Sequence, residues 1–197
     1  MPAVNWRDCE RRSWAPKEEL LISEWAERYR VLSSRSEEKG PFRLRRVPYL
    51  GPIMDAALDE AVERIVFVKP AQVGWTTAME TLVGYFATSE TCPIMFVLAD
   101  EDTAEFISQE RLAAMFRESP ALASFIDELN RTEIKLRNGS HIVMGWASSV
   151  AKLASREVKV LTLFFSGMAV GASLVSYLRC ARTGGRVDAL PTPEREA

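Results

Sequence analysis

Apolar positions change their spacing several times along the chain, and each change marks an element. In residues 13–32, SWAPKEELLISEWAERYRVL, the side chains Leu20, Leu21, Trp25, Tyr29 and Leu32 recur at helical spacing, with Ser13 placed as an N-cap. SSRSEEKGPF breaks that pattern with Ser, Gly and Pro. FRLRRVPYL reads as an extended basic segment carrying Arg43, Arg45 and Arg46, and MDAALDEAVER as a short helix or turn. RIVFV is a continuous apolar run, the mark of a strand buried on both faces. A loop follows, and then Trp75, Ala78, Met79, Leu82, Val83 and Phe86 form a wide apolar helical face. PIMFVLA predicts a second buried strand, DEDTAEFISQERLAAMF a capped helix and SPALASFIDEL a shorter one. TEIKLRNGSHIVMG alternates around Asn138-Gly139, a pair that suits a tight type I′ hairpin turn. SSVAKLASR predicts a brief helix or loop, and EVKVLTLFF a third buried strand.

Strand, loop, helix, strand, helix, hairpin, strand is the order of an α/β fold with a mainly parallel sheet. The pattern divides the chain into an N-terminal helical and extended segment (1–60), an α/β core (61–164) and a tail (165–197). The character changes after Phe165: the tail is rich in Gly, Ala, Ser and Arg, and has no Lys. Its last stretch reads as disordered. ASLVSYLRCA is its one candidate helix.

Composition narrows the class without naming it. The 197 residues are 47% hydrophobic and 26% charged, enough for a sizeable core. A net charge of −2 gives no bulk attraction to a polyanion, although a local basic face such as FRLRR remains possible. Cys9, Cys92 and Cys180 are widely spaced and read as reduced thiols of a cytoplasmic protein. The single histidine, His141, is expected at the start of a strand. The longest apolar run, Leu163 to Leu178, is shorter than the ~20 residues of a membrane span and carries Gly and Ser.

The candidate chemistry lies between the first strand and its helix, in KPAQVGWTT, residues 69–77. A phosphate-binding loop usually reads G-x-x-x-x-G-K-[ST]. Here Trp75 holds the Lys position, and Lys69 stands where the loop normally begins. The chemistry still has its parts. Free N–H groups at the helix start face an anion, Gly74 permits close backbone approach, and the Thr76 hydroxyl can ligate Mg²⁺ on the phosphates. The long stem of Lys69 can reach those phosphates from the upstream limb. A plain β–α connection with a chance Lys is the structural alternative.

Several separated segments add a resemblance. ISEWAERYRVLS, VPYLGPIMDAALDEAVERIVFVKPAQVGWTT, ADEDTAEFISQERLAAMF and GSHIVMGWASSVAKLASREVKVL resemble, in order and over about residues 20–164, the ATPase domain of the GpA (lambda-like) type of large terminase subunit. That family packages DNA of tailed phages into a procapsid, and its phosphate loop runs K-S-A-x-V-G-x-[ST]. The segment KPAQVGWT fits, with Pro70 in place of Ser. The resemblance implies a RecA-like P-loop ATPase domain using ATP and Mg²⁺. Lys69, Gln72, Val73, Gly74, Trp75, Thr76 and Thr77 would form the nucleotide loop, with Thr76 as the magnesium ligand. Trp25, Tyr29 or Tyr49 would stack on adenine. It also implies double-stranded DNA, a small terminase subunit and the procapsid portal as partners, a homo-oligomeric motor, and a site of action in the bacterial cytoplasm.

One part of that family pattern is missing. An Asp and a Glu should follow EVKVLTLF, but Phe165, Ser166 and Gly167 come next, and no carboxylate appears until Asp188. A shifted frame or a truncated relic is the expectation, with nucleotide binding but little hydrolysis. Asp100 and Glu101, after IMFVLA, are the competing carboxylate pair, although in the terminase-like register capping of the helix at 102–117 is the better account of them. Arg156 is a candidate for the arginine that such motors lend to a neighbour. A non-enzymatic module, docking a partner through Trp25 and Tyr29, is the remaining alternative.

Overall fold

The computed structural model describes residues 19–33, 38–59, 61–62, 64–69, 73–146, 160–165 and 174–180. The described residues open with α1 (Ile22–Tyr29), a two-stranded ladder of β1 (Val31–Leu32) and β2 (Gly40–Pro41), a 3₁₀ turn at Leu44–Arg46, and α2 (Leu50–Asp55). β3 (Arg64–Lys69) leads through the loop to α3 (Trp75–Tyr85), which continues as a wide π turn at Phe86–Glu90. β4 (Pro93–Leu98) precedes α4 (Glu101–Phe106), a second π turn at Ile107–Leu112, α5 (Ala113–Glu118) and α6 (Pro120–Ala123). β5 (Ile126–Leu129), β6 (Glu133–Leu136), β7 (His141–Trp146), β8 (Val160–Phe165) and β9 (Leu174–Cys180) complete the order.

Seven strands form one sheet in the order β3-β9-β8-β4-β7-β6-β5. The expected α/β class holds, but the sheet is mixed rather than mainly parallel. Only β4 makes parallel ladders, with β7 and with β8. The pairs β3–β9, β8–β9, β5–β6 and β6–β7 are antiparallel. Two antiparallel steps cancel, so β3 still runs in the direction of β8, β4 and β7. The difference comes from the tail: Leu174–Cys180, expected to be helical if anything, is a strand wedged between β3 and β8. Its Val, Tyr and Leu residues suit a pleated surface, and two open edges give it backbone partners on both sides. The sheet therefore crosses the boundary drawn at 164, and α1 and α2 pack on α3 across the one drawn at 60.

Other expectations shift for local reasons. The described helix of this segment begins at Ile22, since Leu21 is extended (ψ 153°) and its N–H is capped by the Glu24 carboxylate at 3.1 Å. Ser13 lies outside the described residues. β3 is an edge strand, so Val66 is 53% exposed instead of buried on both faces. SPALASFIDEL splits into a four-residue helix and strand β5, which pairs with β6. FRLRR is not extended but turns at Leu44–Arg46. The β6–β7 hairpin forms as expected, and His141 opens its second strand. Its turn is not type I′. Gly139 N–H donates to the Leu136 carbonyl, Leu136 N–H donates to that of Ser140, and only Gly139 has positive φ (+91°), the pattern of a type I turn with a glycine bulge.

The apolar face expected for α3 is real: Trp75, Ala78, Met79, Leu82, Val83 and Phe86 are each almost fully buried. Trp25 of α1 packs edge-on to Tyr85 with ring centroids 5.9 Å apart. Gly84 permits this, since a Cβ there would sit 3.0 Å from the Trp25 ring. The polar face of α3 is buried too. Glu80 is 3% exposed and accepts from Arg30, also 3% exposed, at 2.6 Å. Arg111 of the second π turn donates to the other Glu80 oxygen. Arg30 also donates to the Thr77 carbonyl and the Thr81 hydroxyl. Burial pulls the Arg30 guanidinium below its ordinary pKa, and the charge of Glu80 opposes that shift.

Removing one partner of a buried ion pair typically costs ~3–5 kcal/mol, because the survivor is left uncompensated. Urea unfolding of Glu80→Leu should show a loss of that order, and Arg30→Met a smaller one, because Arg111 still holds Glu80. The double variant should recover most of it, since neither buried charge remains.

Candidate functional site

The loop is framed by two elements that end for identifiable reasons. β3 finishes at Lys69, whose backbone pairs with Leu174. α3 starts at Trp75, after Gly74 turns the chain with φ +72° and ψ 12°, in the left-handed region open to glycine. A Cβ on Gly74 would find only ordinary contact, 3.5 Å from Leu50 Cδ1 and 3.9 Å from Val47 Cγ1. Conformation, not space, therefore selects glycine here.

The start of α3 leaves its first amides without partners inside the helix. The first helical bond runs from Ala78 N–H to the Gly74 carbonyl at 3.1 Å, so the amides of Trp75, Thr76 and Thr77 have no intrahelical acceptor. Gly74 supplies no side-chain cap, and the first turn contains no acidic residue. The partial positive charge of the helix end is therefore not cancelled locally. Among the described residues the Thr76 hydroxyl has no protein partner, which leaves it free as a ligand. These features fit a nucleotide phosphate with its Mg²⁺.

The other residues of the expected loop fall differently. Trp75 is 1% exposed and stacks on Phe67 of β3 at 4.3 Å between centroids. The position usually given to Lys is thus turned into the core. Val73 and Thr77 are half-buried, and the Thr77 carbonyl is held by Arg30 and by the Thr81 hydroxyl at 2.8 Å. Gln72, Arg156 and the side chain of Lys69 lie outside the described residues. Sequence reasoning missed the wall opposite Gly74, formed by Val47 and Leu50, because nothing in their spacing links them to the loop. A cavity of about 140 Å³ is lined by Arg30, Ser33, Glu80, Phe106, Arg111 and Met115, among others. It borders the buried ion network, and none of its lining residues belongs to the loop.

The competing carboxylates occupy the same edge of the sheet at a distance. β3 and β4 run in one direction, so Lys69 and Asp100 both follow carboxyl ends, where open α/β sheets bind ligands. Between them lie β9 and β8, three strand steps or ~14 Å at the usual ladder spacing. Asp100 is engaged as the N-cap of α4: one oxygen accepts from Thr103 N–H at 2.8 Å and the other from the Thr103 hydroxyl at 2.9 Å. These bonds, the backbone one foremost, hold its carboxyl below the ordinary pKa. Glu101 sits in the first turn, where its charge favours the helix.

With this geometry in view, comparison with known proteins is informative. A family model described as phage terminase large subunit gpA, ATPase domain, matches residues 36–164. The chain belongs to that family. No curated protein matches it. The match spans the loop, β4, the hairpin and most of β8, and leaves out ISEWAERYRVLS, the first of the segments on which the terminase resemblance rested. Among the described residues, no helix of this terminase-family chain is long and apolar enough to cross a membrane.

Two outcomes are expected. Gly74→Ala should cost ~1–2 kcal/mol in chemical denaturation, the penalty of a Cβ in the left-handed region. Asp100→Ala should lower the melting temperature at neutral pH, whereas Asp100→Asn, still a competent cap, should lower it less. Because the folded pKa of Asp100 is depressed, its ionic contribution is full above the unfolded value of ~3.9 and fades as pH falls through the folded one. Melting curves of wild type and Asp100→Asn should therefore converge on acidification below about pH 4.

Proposed function

We propose that this chain is an ATP-binding domain of a phage DNA-packaging terminase, taking the nucleotide at the β3–α3 loop of a RecA-like P-loop fold. The observation that carries the reading is the uncapped start of α3 behind a left-handed Gly74, inside a segment matched as a terminase ATPase domain. Backbone amides of Trp75, Thr76 and Thr77 donate to phosphate oxygens. Lys69, entering from the end of β3, supplies the cation that the buried Trp75 cannot. Gln72 and Val73 line the loop. Mg²⁺, when bound with the nucleotide, neutralises phosphate charge, and the Thr76 hydroxyl is its protein ligand.

Hydrolysis is expected to be weak in this chain. No carboxylate follows β8 in sequence before Asp188, and Asp100 is committed to capping α4. Losing a positioned base typically lowers a rate by ~10²–10⁴. In the alternative in which α1 docks a partner through Trp25 and Tyr29, Tyr29 would carry the contact, since Trp25 is 4% exposed and packed on Tyr85. Double-stranded DNA, a small terminase subunit, the procapsid portal and further copies of the chain are the partners this reading implies, in the cytoplasm of a bacterial host. The exposed Arg43 and Arg45 suit a phosphate backbone.

Calorimetry with Mg²⁺ and ATP tests the reading. Lys69→Ala should weaken binding at least ~10-fold, the worth of one charge-assisted contact. Thr76→Ala should weaken it mainly when Mg²⁺ is present. Equal affinity in wild type and both variants would remove the loop from the site. Loss of measurable turnover in Asp100→Asn would instead identify that residue as part of a working hydrolase.

A further inference from the structure

The cavity beside the buried ion network has chemistry that the loop does not use. Arg30, Glu80 and Arg111 meet there with the apolar side chains of Val31, Phe106 and Met115. The charges do not balance. Glu80 carries one negative charge and is shared by two guanidiniums. Glu110, also on the wall, has a partner of its own. The donors are not all used either. Arg30, 3% exposed, places its two Nη groups on Glu80, Thr77 and Thr81, while its buried Nε has no acceptor. Arg111 donates to Glu80 through Nε, and among the described residues its Nη groups have no protein partner.

We propose that this cavity is a carboxylate-binding site, taking a monoanion with a short apolar stem on Arg30 and Arg111. The site is independent of the nucleotide reading, because no residue of the loop lines it. A guanidinium presents N–H groups that match the two oxygens of a carboxylate, and such charge-assisted bonds are the strong ones. One surplus positive charge calls for a monoanion, which a phosphate dianion would exceed. A buried donor costs free energy until an acceptor reaches it, so the Arg30 Nε favours an occupied cavity. The volume of about 140 Å³ is close to that of cavities that take benzene. Phe106 is 56% exposed, an apolar ring left in water on the same wall as two guanidiniums. Arg111 sits in the π turn Ile107–Leu112, and such widened turns recur at functional sites.

Ordered water is the competing occupant, since it also satisfies buried donors. Proton–nitrogen correlation NMR of the full chain separates the two through the Arg Nε–H signals. Butyrate should shift those of Arg30 and Arg111 saturably, while butyramide, the uncharged molecule of the same shape, should leave them in place. Affinity should rise from acetate through propionate to butyrate, by up to about fourfold for each CH₂ that reaches the apolar wall. Arg111→Lys keeps an ionic partner for Glu80 but removes the Nη donors. It should weaken butyrate at least ~10-fold, the worth of a charged hydrogen bond. Phe106→Ala alters an exposed side chain and is expected to melt with the wild type. It should remove the gain with chain length and leave acetate unchanged.

A butyrate titration that leaves both signals in place would overturn the site in favour of water, as would equal shifts with butyramide. Butyrate affinity unchanged in Arg111→Lys would overturn the role of the guanidinium pair. If Arg111→Lys fails to fold, Phe106→Ala decides: a chain-length gain that survives there would place binding outside this cavity. A capped glutamate, whose side chain carries the same group, distinguishes two sources of the carboxylate. Binding on a par with butyrate assigns the site to an acidic side chain of another protein, and absence of binding assigns it to a free acid. Each outcome leaves the phosphate loop as it stands.

Discussion

The structure depends on a buried electrostatic contact at the middle of α3. Glu80 is held by Arg30 from the end of α1 and by Arg111 from the helix that follows β4. Burying a carboxylate without partners is prohibitive, so α3 can occupy the centre of the molecule only if both arginines arrive with it. That requirement joins three parts of the chain that are distant in sequence. Arg30 is fixed twice more, by its backbone carbonyl accepting from Phe42 N–H at 3.0 Å and by its side chain on Thr77 and Thr81. Because Thr77 belongs to the first turn of α3, the same contact that neutralises Glu80 also sets where the loop opens.

The sheet imposes the second constraint. Its shared strand direction gathers the ends of β3, β4, β7 and β8 on one edge, and the loop lies at that edge. The wedge of β9 widens the gap between β3 and β4, which separates Lys69 from Asp100. Beside the described part of the loop lie the first amides of α3, without partners inside the helix, and the half-buried Thr76.

Much of this was legible in the chain, and the failures have physical causes. The α3 face, the β4 strand, the helix capped by Asp100 and the hairpin were readable because each rests on local periodicity or a local cap. The strand character of 174–180 was not, since it arises from pairing with residues far away in the chain. Val66 was misjudged because edge position is a property of the finished sheet. In the loop, Gly74 could be read from the turn it must make, whereas the burial of Trp75 could not, since it depends on Phe67 beneath it. The ion network left one overlooked trace. Glu80 is the sole charge between Lys69 and Glu90, and a lone carboxylate in so apolar a helix signals a buried partner.

The wedge of β9 has a consequence for how the molecule assembles. Arg64 pairs with Arg179, more than a hundred residues later, and every backbone bond of β3 to the sheet is made through that late strand. The hairpin and the pair β4–β7 involve nearer partners and can form while the chain is still emerging from the ribosome. β3, and the loop it carries, must wait for residues 174–180. The strand that leads into the loop would then join the sheet only after β9 has been made.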